Sequence, residues 1–380
     1  MKDGRRVLFC TLGYEPGRVG GAERQARLQA QELARRGWRV DVVTARDPGT
    51  PSGRMDGLMI RRLPRLNVRF LRTLTYAPML VAWLLGNVRR YDVVHVHLAN
   101  WQADLVIPIC RLFHVPAYVK LAAGGPRGEI GRMRKVAWLT RYVGIRGATR
   151  AQATSNEIEA DLKAIGVPGS RIVRIPNGLP PGVFVPPSAA QRKARRRELN
   201  LPGGKPLVLY CGRFARYKGV TDLIEAWDGS QAASSAVLVL VGVPAIDDPV
   251  EVDESPSIEV RPWTTEVAAY LQACDIYVHP SHADGMPNAV LEAMASGAAV
   301  IATRIAAIPE MLTDGVDGLL VASGSVEELR QAIDSLVADP ALTARLSSAA
   351  ALRAARDYPI EAVVDRIEVA YREMLATRPR

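Results

Sequence analysis

Leu207-Val-Leu-Tyr-Cys-Gly-Arg-Phe-Ala-Arg-Tyr-Lys-Gly-Val-Thr-Asp-Leu-Ile-Glu-Ala-Trp227 reads as a short apolar strand, a glycine-flanked loop and a helix. The loop places Arg213 and Lys218 at the carboxyl end of a strand and just ahead of free helix N–H groups. Gly212 and Gly219 allow a ligand to approach the backbone closely. Two cations in that setting suit a diphosphate whose negative charge grows as a bond to it breaks. A surface loop with unrelated charges fits this motif alone equally well.

Outward from this unit the pattern repeats. Ahead of it, apolar β-branched runs at 7–12, 40–44, 93–97, 117–121, 151–154 and 172–175 alternate with helical-period stretches such as 22–36. Behind it come strands at 236–241, 258–260, 276–278 and 300–303, with helices at 220–227, 264–273 and 289–295. Strand alternating with helix predicts a parallel sheet covered on both faces. The chain therefore reads as an α/β protein of two doubly wound, Rossmann-like domains facing across a cleft lined by the carboxyl ends of their strands. Breakers at 176–182 and the charged run 192–198 set the expected boundaries. These are a first domain over 1–182, a linker over 183–204, a second domain over 205–358, and a helix over 359–380 packing back on the first domain.

Three hundred and eighty residues suit two domains better than one. Hydrophobic content of 48% with 23% charged residues excludes disordered, collagen-like and disulfide-stapled chains. Cys10, Cys110, Cys211 and Cys274 lie far apart in apolar stretches, so the expected setting is a reducing cytoplasm. The apolar run after the basic N-terminus is too short for a signal peptide, and 76–88 is too short to span a bilayer.

Charge is divided unevenly. Residues 1–180 hold 30 Lys and Arg against 13 Asp and Glu, while 181–380 hold 19 against 26. The excess falls on Arg61, Arg62, Arg65, Arg69, Arg72, Arg89 and Arg90, then on Arg127, Arg132, Arg134, Lys135, Arg141, Arg146 and Arg150, interleaved with Leu, Met, Trp and Tyr. Two readings stay open: a solvated basic face, or peripheral attachment to the anionic inner face of the cell membrane. Nucleic acid is not expected as a partner, because no helix-turn-helix, zinc-finger or RNP pattern accompanies the charge.

A second motif runs His279-Pro-Ser-His-Ala-Asp-Gly-Met-Pro-Asn-Ala-Val-Leu-Glu-Ala-Met-Ala-Ser-Gly297. Pro287 suits the first turn of a helix, so Gly285, Met286 and Asn288 are expected to offer N–H groups at its start. Glu292, one turn further in, can accept hydrogen bonds from the vicinal hydroxyls of a ribose. Asp284, on the preceding loop, can reach another sugar's hydroxyls. The plain alternative is that Asp284 caps the helix and Glu292 is solvated.

Together these motifs closely resemble the retaining family 4 glycosyltransferases of GT-B fold. The resemblance extends to Gly20-Gly-Ala-Glu-Arg24, Asp92-Val-Val-His-Val-His97, Ser155-Asn-Glu-Ile-Glu-Ala-Asp161, Ile175-Pro-Asn-Gly178, Ile308-Pro-Glu310 and Asp317-Gly-Leu-Leu-Val321. It implies that Arg213 and Lys218 hold the diphosphate of a nucleotide-sugar, that Glu292 holds its ribose, and that Gly20 and Gly21 let a first-domain loop approach it. Asp284 stands where the family usually has Glu, one methylene longer. Many relatives carry a His where this chain has Ala122, so Lys120, Glu129 and His97 become candidates for that region, with His95 assigned to the opposite face of its strand as buried structure. Glu310 is a family position and equally a helix cap.

The implied activity is hexosyl transfer from a UDP- or GDP-linked sugar to a saccharide, a lipid-linked acceptor or a small molecule. No cofactor is expected, and no metal, since no Asp-x-Asp motif accompanies the donor residues. Rival readings are a non-catalytic sugar-nucleotide-binding subunit, motivated by Ala122 and Asp284, and a nucleotide-sugar epimerase of the same architecture. A dinucleotide oxidoreductase lacks its Gly-x-Gly-x-x-Gly loop after the first strand.

Overall fold

The computed structural model describes residues 4–15, 20–66, 68, 71–133, 142–246 and 248–377. They form two compact units, one reaching Gly178 and resuming at Ile360, the other Leu179–Pro359.

The first unit is built on an eight-stranded sheet of β1 (Arg6–Cys10), β2 (Arg39–Ala45), β3 (Gly53–Met55), β4 (Leu58–Leu63), β5 (Val93–His97), β6 (Ala117–Lys120), β7 (Arg150–Ala153) and β8 (Ile172–Arg174). Their order is β3-β4-β2-β1-β5-β6-β7-β8, and every pairing is parallel except that of β3 with β4. Alternation along β1 shows why the run is apolar throughout. Val7 and Phe9 face a core shared with Ile360, Val364 and Tyr371 of the C-terminal helix Ile360–Ala376. Leu8 and Cys10 face the opposite core, beneath the helices Leu71–Asn87 and Trp101–Leu112.

The sequence reading omits β3 and β4. Asp56 and Gly57, both at positive φ, close a two-residue hairpin of the kind that Asp-Gly favours. Arg61 and Arg62 hid the strand by reading as surface charge. Arg62 is in fact buried, its guanidinium donating to the carbonyls of Tyr14, Glu15 and Pro51.

In the second unit β9 (Leu207–Cys211), β10 (Val237–Val241), β11 (Ile258–Arg261), β12 (Ile276–His279), β13 (Ala299–Thr303) and β14 (Leu319–Val321) form a wholly parallel sheet ordered β11-β10-β9-β12-β13-β14. From β9 the chain winds outward to β10 and β11, then returns to the other side of β9 as β12. The crevice outside the carboxyl ends of β9 and β12 is therefore a topological switch point, where open α/β sheets bind ligands. The equivalent point of the first sheet lies between β1 and β5.

Residues 183–204, read as a linker, pack within the second unit. Ser188 caps the helix Ala189–Glu198, whose Arg192 and Arg196 reach Asp275 at 2.9 and 2.6 Å. Asp275 also accepts the Leu207 N–H at 2.8 Å, so one carboxylate joins this helix to the start of β9. At the other boundary, Arg36 ties the helix Ile360–Ala376 to the first unit through Asp365 and Glu368. No helix among the described residues is long and apolar enough to cross a membrane.

Asp275→Ala would leave the Arg196 guanidinium, 9% exposed, without its counter-ion, at a cost of about 3 kcal/mol. A urea unfolding midpoint unchanged from wild type would show that apolar contacts alone hold this helix.

Candidate active site

The loop after β9 turns through Arg216–Lys218 and enters the helix Val220–Asp228 at Gly219. Gly219 sits at φ +70°, and a Cβ there would lie 2.0 Å from the Pro280 carbonyl oxygen. Only glycine meets both conditions. The loop after β12 is thereby pressed against the loop after β9. Backbone and side-chain bonds fix the contact: His282 N–H donates to the Tyr217 carbonyl at 2.9 Å, and the Ser281 hydroxyl donates to the same carbonyl at 3.3 Å.

This packing brings Lys218 and Asp284 together. The Lys218 ammonium donates to Asp284 Oδ2 at 2.7 Å, His279 Nε2 donates to the same oxygen at 3.0 Å, and the Gly285 N–H donates to Oδ1 at 3.1 Å. The two charged side chains are 19% and 21% exposed. Burial by itself would raise the Asp284 carboxyl, but the His279 hydrogen bond and the Lys218 charge outweigh it and hold the group well below the usual carboxylate range. Arg213 is exposed, with its guanidinium 6.0 Å from the Tyr217 ring centroid. The Lys218 ammonium lies 5.5 Å from the same centroid.

Pro287 is the N-cap of the helix Asn288–Ala295, one position earlier than the first turn expected for it. Gly285, Met286 and Pro287 are buried and Asn288 is half-buried. The Gly285 N–H is engaged by Asp284. Glu292 is 5% exposed, on the inner side of that helix. Glu310 lies half-buried in the short helix Ile308–Met311, and its carbonyl accepts from Arg353 at 2.7 Å. His279 is the residue that sequence reasoning passed over, although its place at a strand end directly before Pro280 marks it as bordering the loop.

In the first unit Gly20 and Gly21 are exposed at the start of the helix Gly21–Arg35, and the Gly20 N–H donates to Glu23 Oε2 at 2.9 Å. His97 and Lys120, neighbours in register at the ends of β5 and β6, are both buried, Lys120 to 1% exposure. The Lys120 ammonium donates to Asn177 Oδ1 at 2.9 Å. Both side chains are shut off from solvent. His95 does not face away from His97. Two residues apart on one strand, they share a face, with ring centroids 5.4 Å apart, and His95 Nδ1 bonds the Tyr371 hydroxyl at 2.6 Å. Glu129 accepts the N–H groups of Ala122 and Ala123 at 3.0 and 2.9 Å, so its carboxylate serves the loop after β6.

Burial pulls the Lys120 ammonium down to about 7, against the opposing pull of Glu129. Burial likewise lowers His95 and His97, reinforced by the Lys120 charge. Of the basic residues singled out in the sequence, Arg69, Arg134, Lys135 and Arg141 lie outside the described residues. Among the described residues, no three His, Cys, Asp or Glu side chains converge as a metal site requires.

Residues 19–182 match the family described as Glycosyltransferase Family 4, and residues 205–339 match Glycosyl transferases group 1. The chain is 27% identical to a D-inositol 3-phosphate glycosyltransferase of Arthrobacter sp. (strain FB24), over 92% of this chain and 91% of that one. It is 28% identical to a 2-deoxystreptamine N-acetyl-D-glucosaminyltransferase of Streptomyces fradiae, over 84% and 83%. Among solved structures, HepE of Anabaena in complex with UDP-glucose superposes with a TM-score of 0.78 at 18% identity, over 97% of this chain and 99% of that one. That likeness places both units in a GT-B fold.

Two titrations follow from this geometry. A carboxyl depressed by its partners adds stability above its unfolded value and loses it as pH falls through the folded value. Asp284 is therefore expected to stay ionised below the usual carboxylate range, and Lys218→Met to move its titration upward. Carbon-13 NMR of the side-chain carboxyls reads this, and an Asp284 signal that titrates identically in both proteins would refute the pairing. For Lys120 the slope has the same sign, but there it is the neutral form that the fold favours. The unfolded chain holds the proton and the folded one releases it, so stability rises by roughly 1 kcal/mol per unit between about pH 7 and pH 10. Lys120→Met is expected to flatten that rise in denaturant melts, and an unaltered pH profile would show that Lys120 is charged in the fold.

Proposed function

Because the chain belongs to the group 1 glycosyltransferases, with the family 4 module as its front half, we propose that it moves a hexosyl unit from a UDP- or GDP-linked sugar to an acceptor hydroxyl with retention of configuration. The observation that carries this reading is the pairing of Lys218 with Asp284 beside exposed Arg213, at the switch point of the second sheet.

In this reading Arg213 and Lys218 lie against the diphosphate and stabilise the charge that grows on its oxygen as the bond to the anomeric carbon breaks. They carry that countercharge without a divalent cation. Glu292 accepts from the ribose hydroxyls and Asp284 from the transferred sugar. The acceptor oxygen bonds to the anomeric carbon on the face the diphosphate leaves, and its proton passes to the departing diphosphate oxygen. Asp284 is a poor nucleophile here, since Lys218, His279 and Gly285 already engage both of its oxygens. The complexes of HepE with UDP-glucose favour UDP as the nucleotide. The inositol phosphate and deoxystreptamine in the names of the two relatives favour a polyhydroxylated ring as acceptor. Four cysteines without disulfides support work in a reducing cytoplasm, and the basic first unit supports attachment to an anionic membrane surface.

The test is release of nucleotide from a panel of UDP- and GDP-sugars in the presence of cyclitol and saccharide acceptors, with the anomeric configuration of the product read by proton NMR. Replacing both cations, Arg213→Ala with Lys218→Ala, is expected to lower kcat/KM by at least roughly a thousandfold. Turnover that survives the double change would remove the assignment. Donor binding without any turnover by the wild type would favour the non-catalytic subunit instead.

A further inference from the structure

From Gly57 to Tyr91 the chain holds seven arginines and no aspartate or glutamate. Within this stretch the helix Leu71–Asn87 buries Tyr76, Leu80 and Leu84 against the sheet. A surface helix ordinarily turns polar residues to the other side. This one turns Leu71, Leu74, Pro78, Ala82 and Leu85 outward, all exposed and spaced three or four apart, so that they form a stripe opposite the buried one. Leu74 is 69% exposed. The turn before the helix adds exposed Leu66 and Val68. The same stretch of chain carries Arg61, Arg89 and Arg90, all exposed, and half-exposed Arg72. The Arg89 guanidinium lies 4.4 Å over the Phe113 ring, beside exposed Leu112.

Two properties of this face select its occupant. Its apolar stripe needs an apolar phase, and its charge is of one sign. A second copy meeting it face to face would offer the apolar match but set arginines against arginines. An anionic bilayer interface satisfies both at once, with acyl chains beneath the stripe and phosphates around it. The helix is not long and apolar enough to cross, so it lies in the plane of the interface.

We propose that the helix Leu71–Asn87 seats this chain on anionic lipid, with Leu71, Leu74, Pro78 and Leu85 in the acyl boundary and Arg61, Arg72, Arg89 and Arg90 at the headgroup phosphates. The inference rests on the reading of the first unit as membrane-facing and is independent of the donor chemistry assigned to the second. Because the helix follows β4, its first turn stands at the carboxyl end of the first sheet, the end at which Gly20 and Gly21 are exposed. An acceptor held in the same lipid surface would reach that end without leaving the bilayer.

Flotation with vesicles of phosphatidylcholine, alone or containing phosphatidylglycerol, tests this on the full chain. Wild type is expected to float only with phosphatidylglycerol and to be released by salt. Arg89→Ser with Arg90→Ser is expected to lower the partition coefficient roughly thirtyfold, at about fivefold per arginine. Leu74→Ser with Leu85→Ser is expected to lower it by more than about tenfold. UDP binding, measured on the same proteins by calorimetry, is expected to be equal in all three. Failure of wild type to float, flotation unchanged in both variants, or a lipid-free dimer that Leu74→Ser dissolves would each overturn the proposal. Absence of UDP binding with flotation intact would instead sink the donor assignment.

Discussion

No side chain fits between Gly219 and the Pro280 carbonyl, and the geometry of the Lys218–Asp284 pair descends from that contact. A methyl group at residue 219 would have to push the β12 loop off the β9 loop, and with it would go the alignment of Lys218 with Asp284. The same closeness recurs one strand over, where a Cβ on Gly242 would lie 1.8 Å from the Gly212 carbonyl oxygen. Glycine here sets how near neighbouring strand ends come, and their nearness places a cation within reach of a carboxylate. Neither charge would be held so firmly on a loop free to move away.

The first unit shows a different use of buried polarity. Lys120, His97 and His95 lie in a row under the helices on one face of the sheet, with Phe9 stacked on His95 at 4.4 Å between centroids. The row ends on Asn177 at one side and on the Tyr371 hydroxyl at the other. Gln25 bonds Gly178 reciprocally, its amide donating at 2.7 Å and accepting at 2.9 Å, so the segment that leaves the first unit is tied to the helix Gly21–Arg35. Ionising groups in such a place cost stability when charged. Lys120 lowers that cost by approaching neutrality near pH 7. The row meets the rest of the fold through Asn177 and Tyr371.

Most of the strands were legible because burial on both faces leaves a run of β-branched and apolar residues that nothing else in the chain resembles. β4 was not, because Arg61 and Arg62 look alike in sequence while one is solvated and the other spans three backbone carbonyls. The helix Ala189–Glu198 was hidden similarly. Its run of arginines looks like a solvated linker until Asp275, far along the chain, supplies the partner. Period-two alternation puts His95 and His97 on one face of their strand, as the structure shows. The loops of the candidate site were legible because glycine and proline punctuate them. The Lys218–Asp284 bond was not, since 66 residues separate the two and only the parallel pairing of β9 with β12 brings them together.

That bond also bears on the length of the Asp284 side chain. A carboxylate offers about four lone-pair sites. At Asp284, Lys218 and His279 take two on one oxygen and the Gly285 N–H takes one on the other. One site is left, on the oxygen not already shared by two donors. The shorter arm keeps the carboxylate back against the strand end, where His279 can reach it, and so keeps it ionised beside the lysine. A sugar hydroxyl that donated to the remaining site would complete the set without displacing a bond. In the proposed reading Asp284 holds Lys218 in place for the diphosphate and accepts one hydroxyl in the same geometry, whereas a group that took both oxygens would first have to break the pair.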